Sequence, residues 1–235
     1  MGFFDFLRSV ARYESDDYAI GRLNQRHRKL IAPIAADLAG ARVLDLAAHD
    51  GRWSYAFAAA GAAAVVGIEG RQHLIERFAE FPQDAAAARV TLRCGDIFDA
   101  MEADLAAGAR YDVIGVLGIF YHIMDHFRLL QLVTRFQPRL VLLDSEFSQR
   151  PGQVIDLVRE DPSKDLNALA QVAGQEKALI GIPSLGALEA MADVLGYRTD
   201  WVDWSDVRPN KRRFVADYFR PKGKRRATCV LRPKI

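Results

Sequence analysis

The stretch from Arg42 to Glu69 reads RVLDLAAHDGRWSYAFAAAGAAAVVGIE. An apolar run, Val43-Leu44, ends in an acid, Asp45. A short turn of small and polar residues follows and contains Gly51. Next comes an Ala-rich helical run that Gly61 stops, and then a β-branched run, Val65-Val66-Gly67-Ile68, that ends in Glu69. Short apolar runs bounded by turn residues read as buried strands, and the Ala-rich segment between them as a helix. The stretch is a strand, turn, helix, strand unit with an acid at the tip of each strand.

Outward from this unit the chain keeps alternating. Strand 42–46 leads to helix 52–60, and strand 64–69 to a helix near 71–80 that stops around Pro82. Strand 89–94 leads to a helix near 97–107, and strand 112–118 to a helix near 125–136, stopped before Pro138; strand 139–144 closes the series. Residues 147–180 are polar and less regular. They predict an insertion with weak helical pieces, beside the edge where lids often sit. Ser184 is a good N-cap for helix 185–195, which ends at Gly196, and 198–204 and 227–231 alternate as two final strands. Strands alternating with helices predict an α/β fold: a doubly wound, mostly parallel, seven-stranded sheet covered on both faces.

Upstream, Phe3, Phe4, Phe6, Leu7 and Val10 make the apolar stripe of a short helix. Ala19 to Leu38 reads as a longer helix that Pro33 interrupts, with Gly40 as its C-terminal cap. Residues 1–40 are therefore expected to be an N-terminal helical segment, a cover for the core or a lid. Residues 41–235 are expected to be the main domain.

The 235 residues carry 32 Lys and Arg against 30 Asp and Glu, so global charge makes no argument for nucleic acid. Cys94 and Cys229 form neither a metal-ligand spacing nor a disulfide framework, which predicts a reducing, cytoplasmic setting and no metal. The opening MGFFDFLRSVARY is broken by Asp5 and Arg8 and is not a signal peptide. No segment is long enough to span a membrane, so no membrane partner is expected.

Ligands of such sheets bind outside the carboxyl ends of the strands. The turn from Asp45 to Ser54 follows the first strand, and Glu69 lies roughly twenty residues further on, where an acid binds ribose hydroxyls. A dinucleotide needs glycines in this turn so that pyrophosphate can meet backbone. Here the turn holds Ala47, His49 and Asp50, and a carboxylate aimed at a pyrophosphate would repel it. The turn argues against NAD and for a cationic ligand. His49 is a residue type that tolerates a left-handed backbone.

Together with Gly95-Asp96-Ile97 after the third strand and Tyr111 to His122 (YDVIGVLGIFYH) around the fourth, this pattern resembles the class I S-adenosylmethionine-dependent methyltransferases. Ala47 and His49 stand where that family has glycines. The resemblance implies a Rossmann-like methyltransferase fold and S-adenosyl-L-methionine as cofactor. It implies cofactor contacts from Asp45, Ala47, His49, Gly51, Trp53, Glu69, Asp96, Ile97 and Leu117, with Asp96 on the adenine amino group and doubling as an N-cap. His122 is the first candidate base, with Tyr121 beside it and Asp144 and Glu146 as alternates; Trp53, Phe120 and Tyr121 are candidate π faces for a sulfonium.

More narrowly, Tyr121-His122 and Ile182-Pro183-Ser184 before a helix resemble the tRNA wobble-uridine carboxymethyltransferases. That resemblance implies a carboxylated cofactor held by Tyr121 and Arg226. The basic run from Arg208 to Arg226, interleaved with Phe214, Tyr218 and Phe219, is either a surface for tRNA or a solvated connector. The expected function is methyl transfer to a small-molecule acceptor; the alternatives are a tRNA-modifying (carboxy)methyltransferase and an inactive cofactor-binding homologue. A homodimer is a further expectation.

Overall fold

The computed structural model describes residues 1–170 and 172–234. Gln171, inside the expected insertion, and Ile235, at the end of the expected main domain, lie outside the described residues. After 3₁₀ turns at Phe3–Ser9 and Ala11–Tyr13, the chain runs through α1 (Asp17–Leu30) and α2 (Ala35–Leu38) into β1 (Arg42–Leu46), α3 (Arg52–Ala59) and β2 (Ala64–Glu69). It continues through α4 (Gln72–Glu76), β3 (Val90–Cys94), α5 (Ile97–Ala106), β4 (Val113–Leu117), α6 (His126–Arg135) and β5 (Leu140–Ser148). β6 (Ile155–Glu160), β7 (Ala178–Pro183), α7 (Leu185–Val194), β8 (Tyr197–Trp201), α8 (Pro209–Arg212) and β9 (Lys224–Pro233) complete it.

Seven strands form one sheet in the order β3-β2-β1-β4-β5-β9-β8. The first five are parallel, while β9 runs antiparallel to both β5 and β8. The chain leaves β1 for β2 on one side and returns to β4 on the other, so the order reverses between β1 and β4. That crevice is where a doubly wound sheet binds its ligand.

Alternation along the strands separates two cores. Val43, Val65, Val113, Leu140 and Leu142 face α3 and the N-terminal segment, and Leu44, Leu46, Ile68, Ile114, Val116, Val141 and Leu143 face the side of α5, α6 and α7. Phe4 and Leu7 are fully buried in the first core, a gain of about 1.5–3 kcal/mol for each side chain. The 3–13 segment forms 3₁₀ turns rather than the predicted helix. Pro33 breaks the next helix as predicted: α1 ends at Leu30 and a 3₁₀ turn at Ala32–Ile34 leads into α2.

The insertion departs from expectation. In place of weak helical pieces, β6 and β7 pair as an antiparallel hairpin. Its hydrophobic pattern is inverted, which hides it from sequence. Asp156 and Glu160 bond to Ser148, Arg150, His122 and Ala168, while Leu157 on the opposite face is 61% exposed. β5 and β9 are longer than predicted because they pair with each other out to Ser148 and Lys224. Among the described residues, no helix is long and apolar enough to cross a membrane.

Candidate functional site

The turn after β1 has the backbone of a glycine turn without its glycines. Ala47 (φ 58°), His49 (φ 55°) and Gly51 (φ 77°) all lie in the left-handed region. That region is strained for alanine and better tolerated by histidine. The turn is held by β2: Glu69 Oε2 accepts the N–H of His49 at 2.9 Å and Oε1 accepts that of Arg71 at 3.0 Å. Glu69 is thus buried at the tip of β2 with its carboxylate directly behind the turn, leaving further lone pairs on both oxygens.

Asp45 lies beneath the turn. It pairs in register with Gly67 of β2 and Gly115 of β4, and it accepts the Ser54 hydroxyl at 2.6 Å. A Cβ on Gly67 would fall 2.8 Å from both Ala48 Cβ and Ser54 Oγ, so only glycine lets the turn and α3 pack this closely. Complete burial, reinforced by the nearby Glu69 charge and opposed by the bonds from Ser54, pushes the Asp45 carboxyl up to about 7. Its role here is to anchor α3 to the strand.

Asp50 corrects the sequence expectation. It does not face outward toward a ligand: it is buried beneath Arg52 (2.6 and 2.8 Å), Arg12 (3.2 Å) and the Tyr13 hydroxyl (3.0 Å). Burial would raise its carboxyl, but the Arg52 guanidinium and His49 beside it hold it well below the usual carboxylate range. The His49 ring is drawn into this cluster, with Nδ1 3.0 Å from Arg52 Nη2. The imidazole is therefore tied to the start of α3. Trp53 is buried too, with Phe4 edge-on at 5.3 Å and the Arg26 guanidinium 4.9 Å over its ring.

Asp96 caps α5, accepting the N–H groups of Phe98 (2.8 Å) and Asp99 (3.2 Å) through Oδ1, so its N-cap role is realised. Ile97 is buried in the second core beside it, and Leu117 ends β4 at the crevice. These residues come together with Glu69 along the carboxyl edge of β1 to β4.

After β4, His122 Nδ1 lies 2.6 Å from Glu160 Oε2, and both side chains are nearly buried. Tyr121 accepts a bond from Arg226 Nη2 at 3.0 Å, with Lys224 Nζ 5.6 Å from its ring centroid. The predicted pair of Tyr121 and Arg226 is therefore in contact. The guanidinium is also engaged by Asp144 at 2.7 Å and Asp217 at 3.1 Å, so two carboxylates already balance it. Asp144 itself is fully buried and accepts from Arg26, Arg226, Tyr218 and Thr228. Burial raises its carboxyl, but the two guanidiniums and the two hydroxyls outweigh this and bring it down to about 2. It is a structural anion, not the alternate base that its position suggests. Glu146 is paired with Arg220 and Lys224, and Phe120 is fully buried against His126. A cleft of about 600 Å³ opens next to Lys224, between Val158 and Ile182 of the hairpin and the loop Pro221–Gly223.

Part of the basic run is engaged locally, while Arg208, Lys211, Arg213 and Lys222 are exposed. Arg226, Arg220 and Lys224 are spent on the carboxylates above, and Arg212 bonds to the carbonyls of Ser205 and Val207. Of the interleaved aromatics, Tyr218 is buried and stacked on Trp204 at 3.6 Å. Tyr218, Arg212 and Arg226 thus pack this segment onto the domain, and Lys211 and Arg213 lie over the Phe214 ring. Sequence reasoning missed Glu160, Arg26, Arg12 and Tyr13, each of which reaches the site from a distant element. Only the acid in the insertion offered a signal, and nothing in its spacing linked it to His122.

No family model matches the chain, and no curated protein matches it. Solved structures do. The N-terminal domain of EvdMO1 with S-adenosylhomocysteine bound is 20% identical with a TM-score of 0.66, over 94% of this chain and 82% of that one. An S-adenosylmethionine-dependent methyltransferase from Mesorhizobium loti is 15% identical, TM-score 0.60, over 90% of this chain and 97% of that one. Burkholderia thailandensis 1,6-didemethyltoxoflavin-N1-methyltransferase, with 1,6-didemethyltoxoflavin and S-adenosylhomocysteine bound, is 15% identical, TM-score 0.58, over 98% of this chain and 86% of that one. With the β3-β2-β1-β4-β5-β9-β8 sheet, these likenesses establish that the chain has the fold of the class I S-adenosylmethionine-dependent methyltransferases.

Proposed function

We propose that the chain is an S-adenosylmethionine-dependent methyltransferase acting on a small-molecule acceptor. The observation that carries this reading is the turn at Ala47–Gly51, left-handed at all three glycine positions of the family and fastened through His49 N–H to Glu69. The turn presents backbone to the crevice, and Glu69 brings the acid that suits ribose hydroxyls. His49, tied back to Arg52, fits such a site despite its size. Asp96 and Ile97 suit the adenine edge and face, and Leu117 the floor. Ala47 and Gly51 form the turn itself, and Asp45 and Trp53 support it from behind. Residues 1–40 cover that turn through Arg12 and Tyr13, the arrangement of a fixed lid.

When bound against Glu69 and the turn, the cofactor would supply an electrophilic methyl group on a sulfonium, with the thioether as the leaving group for an acceptor's lone pair. The chain's residues align the partners and keep water out. His122, with Nδ1 engaged by Glu160, has Nε2 free to take the acceptor's proton. Tyr121, held by Arg226, lines the same approach. A small acceptor is the choice supported by the neighbour crystallised with 1,6-didemethyltoxoflavin. The tRNA-modifying alternative draws support from the Tyr121–Arg226 contact but is weakened by the two carboxylates on that arginine. Two free cysteines suit a reducing, cytoplasmic setting.

Calorimetry with S-adenosylmethionine, S-adenosylhomocysteine and NAD tests the reading. Both sulfur nucleosides should bind and NAD should not. Glu69→Gln, which keeps one acceptor for the backbone N–H groups, should weaken S-adenosylhomocysteine by about tenfold or more, the value of a charge-assisted bond. A folded wild-type protein that ignores both sulfur nucleosides would overturn the proposal.

A further inference from the structure

Glu160 ends β6, and one of its oxygens serves two groups. His122 Nδ1 lies 2.6 Å from Oε2, and the N–H of Ala168 donates to the same oxygen at 3.0 Å. His122 follows β4 on the acceptor side, whereas Ala168 belongs to a strap, residues 161–170, that crosses to the tip of β2. There Arg71 Nη2 donates to the carbonyls of Asn167 at 2.9 Å and Lys164 at 3.3 Å. Asp165 is held by His73 at 3.0 Å and Arg77 at 3.2 Å. Leu169 Cδ1 occupies the place that a Cβ on Gly70 would take, next to Glu69. One stretch of chain thus covers the cofactor end of the crevice and carries the carboxylate that faces the acceptor-side imidazole.

The two attachments differ in strength. The Asp165 pairs are roughly half exposed, and such pairs contribute about 0–1 kcal/mol each. The His122–Glu160 pair is only 8% and 13% exposed. At β2, among the described residues, the strap is held only by side chains, namely the Asp165 ion pairs, the two Arg71 bonds and Leu169 against Gly70. It can therefore lift there while the backbone-paired hairpin stays folded. Lifting that carries Ala168 with it removes the bond that fixes the Glu160 carboxylate.

We propose that Glu160 is a positioning residue for His122, and that the strap is a cofactor-side lid whose closure completes this pair. Seating a nucleoside against Glu69 would favour the closed strap. The closed strap fixes Glu160 through Ala168, and Glu160 holds His122 as its Nδ1–H tautomer with Nε2 free. The inference rests on the methyltransferase reading for the identity of the nucleoside. The pairing of Glu160 with His122 and Ala168 can be tested without it.

The experiment combines ¹⁵N spectra of the neutral His122 ring with hydrogen exchange at the Ala168 amide, in wild type, Glu160→Gln and Glu160→Ala, with and without S-adenosylhomocysteine. Wild type should show the Nδ1–H tautomer and a protected Ala168 amide. Glu160→Ala should mix the tautomers and speed Ala168 exchange by about tenfold, the equivalent of one hydrogen bond. Glu160→Gln, which retains a carbonyl oxygen, should restore both. S-adenosylhomocysteine should slow Ala168 exchange further in wild type and not in Glu160→Ala, with calorimetry confirming binding to each. Unchanged tautomer and exchange in Glu160→Ala would overturn the positioning role. Bound nucleoside that leaves Ala168 exchange unaltered in wild type would overturn the lid. Absence of nucleoside binding would instead count against the methyltransferase reading and the lid together, while the comparison of variants still decides the role of Glu160.

Discussion

The Tyr13 hydroxyl donates to Asp50 Oδ2 at 3.0 Å, and Arg12 Nη2 reaches the same oxygen at 3.2 Å. The N-terminal segment is thereby bonded to the turn after β1, through a carboxylate that sequence alone placed toward a ligand. Tyr13→Phe removes one buried bond and should cost about 1 kcal/mol. Asp50→Ala leaves Arg52 without its carboxylate inside the protein and should cost about 3–5 kcal/mol. Urea unfolding at neutral pH checks both. Equal losses for the two variants would show that the anion is not the centre of this cluster.

Ala47 offers a test of stored backbone strain. Its φ of 58° places a Cβ where L-residues pay about 1–2 kcal/mol. Ala47→Gly relieves this and gives back part of it through a more flexible unfolded chain. A net gain of about 0.5–1 kcal/mol is expected, read as a higher urea midpoint with an unchanged m-value. A loss of stability would mean that the methyl group contributes packing that outweighs the strain.

Local elements were legible in the sequence, and the contacts that join them were not. The strand, turn, helix, strand unit was legible because Val43-Leu44 and Val65 to Ile68 have the length and composition of buried parallel strands, and the strand series after it held to within a few residues. Contacts between distant elements were not legible. That Asp45 lies between Gly67 and Gly115 depends on which strands become neighbours. The hairpin of β6 and β7 escaped because Asp156 and Glu160 turn toward partners while Leu157 turns to solvent. Glu160 meets His122 across a hairpin whose existence the charge pattern conceals. Asp144 sat at the expected strand end, yet four donors from α1, β9 and the connector before β9 change its role from base to buried anion.

Asp45 carries a pH dependence of its own. Burial, helped by the Glu69 charge, lifts its carboxyl from 3.8 to about 7 against the pull of Ser54. A raised folded pKa means that the folded state holds its proton more tightly. The contribution is full below pH 3.8 and is lost as pH rises to about 7. Asp45→Asn lacks this titration while keeping the shape. Its stability relative to wild type should rise across that window by up to about 4 kcal/mol and level off above it. Thermal or urea unfolding of the two proteins across that range provides the check. A difference that stays flat would mean that Asp45 is ionised in the folded state throughout.

Asp144 predicts the opposite slope. Burial works against its charge, but Arg26, Arg226, Thr228 and Tyr218 together hold the carboxyl at about 2, below the 3.8 of an unfolded chain. A depressed folded pKa contributes stability above the unfolded value, and that contribution is lost as pH falls through about 2. The titration is worth about 2.5 kcal/mol. Asp144→Asn should therefore be strongly destabilised at neutral pH, by about 3–5 kcal/mol, because two guanidiniums are left facing a neutral amide in the interior. The gap from wild type should narrow by roughly half as both proteins are acidified from pH 4 toward 2. Since Arg226 also holds the Tyr121 hydroxyl at 3.0 Å, the same variant should loosen Tyr121. A gap that does not change with acid would assign the loss at neutral pH to altered packing rather than to the buried charge.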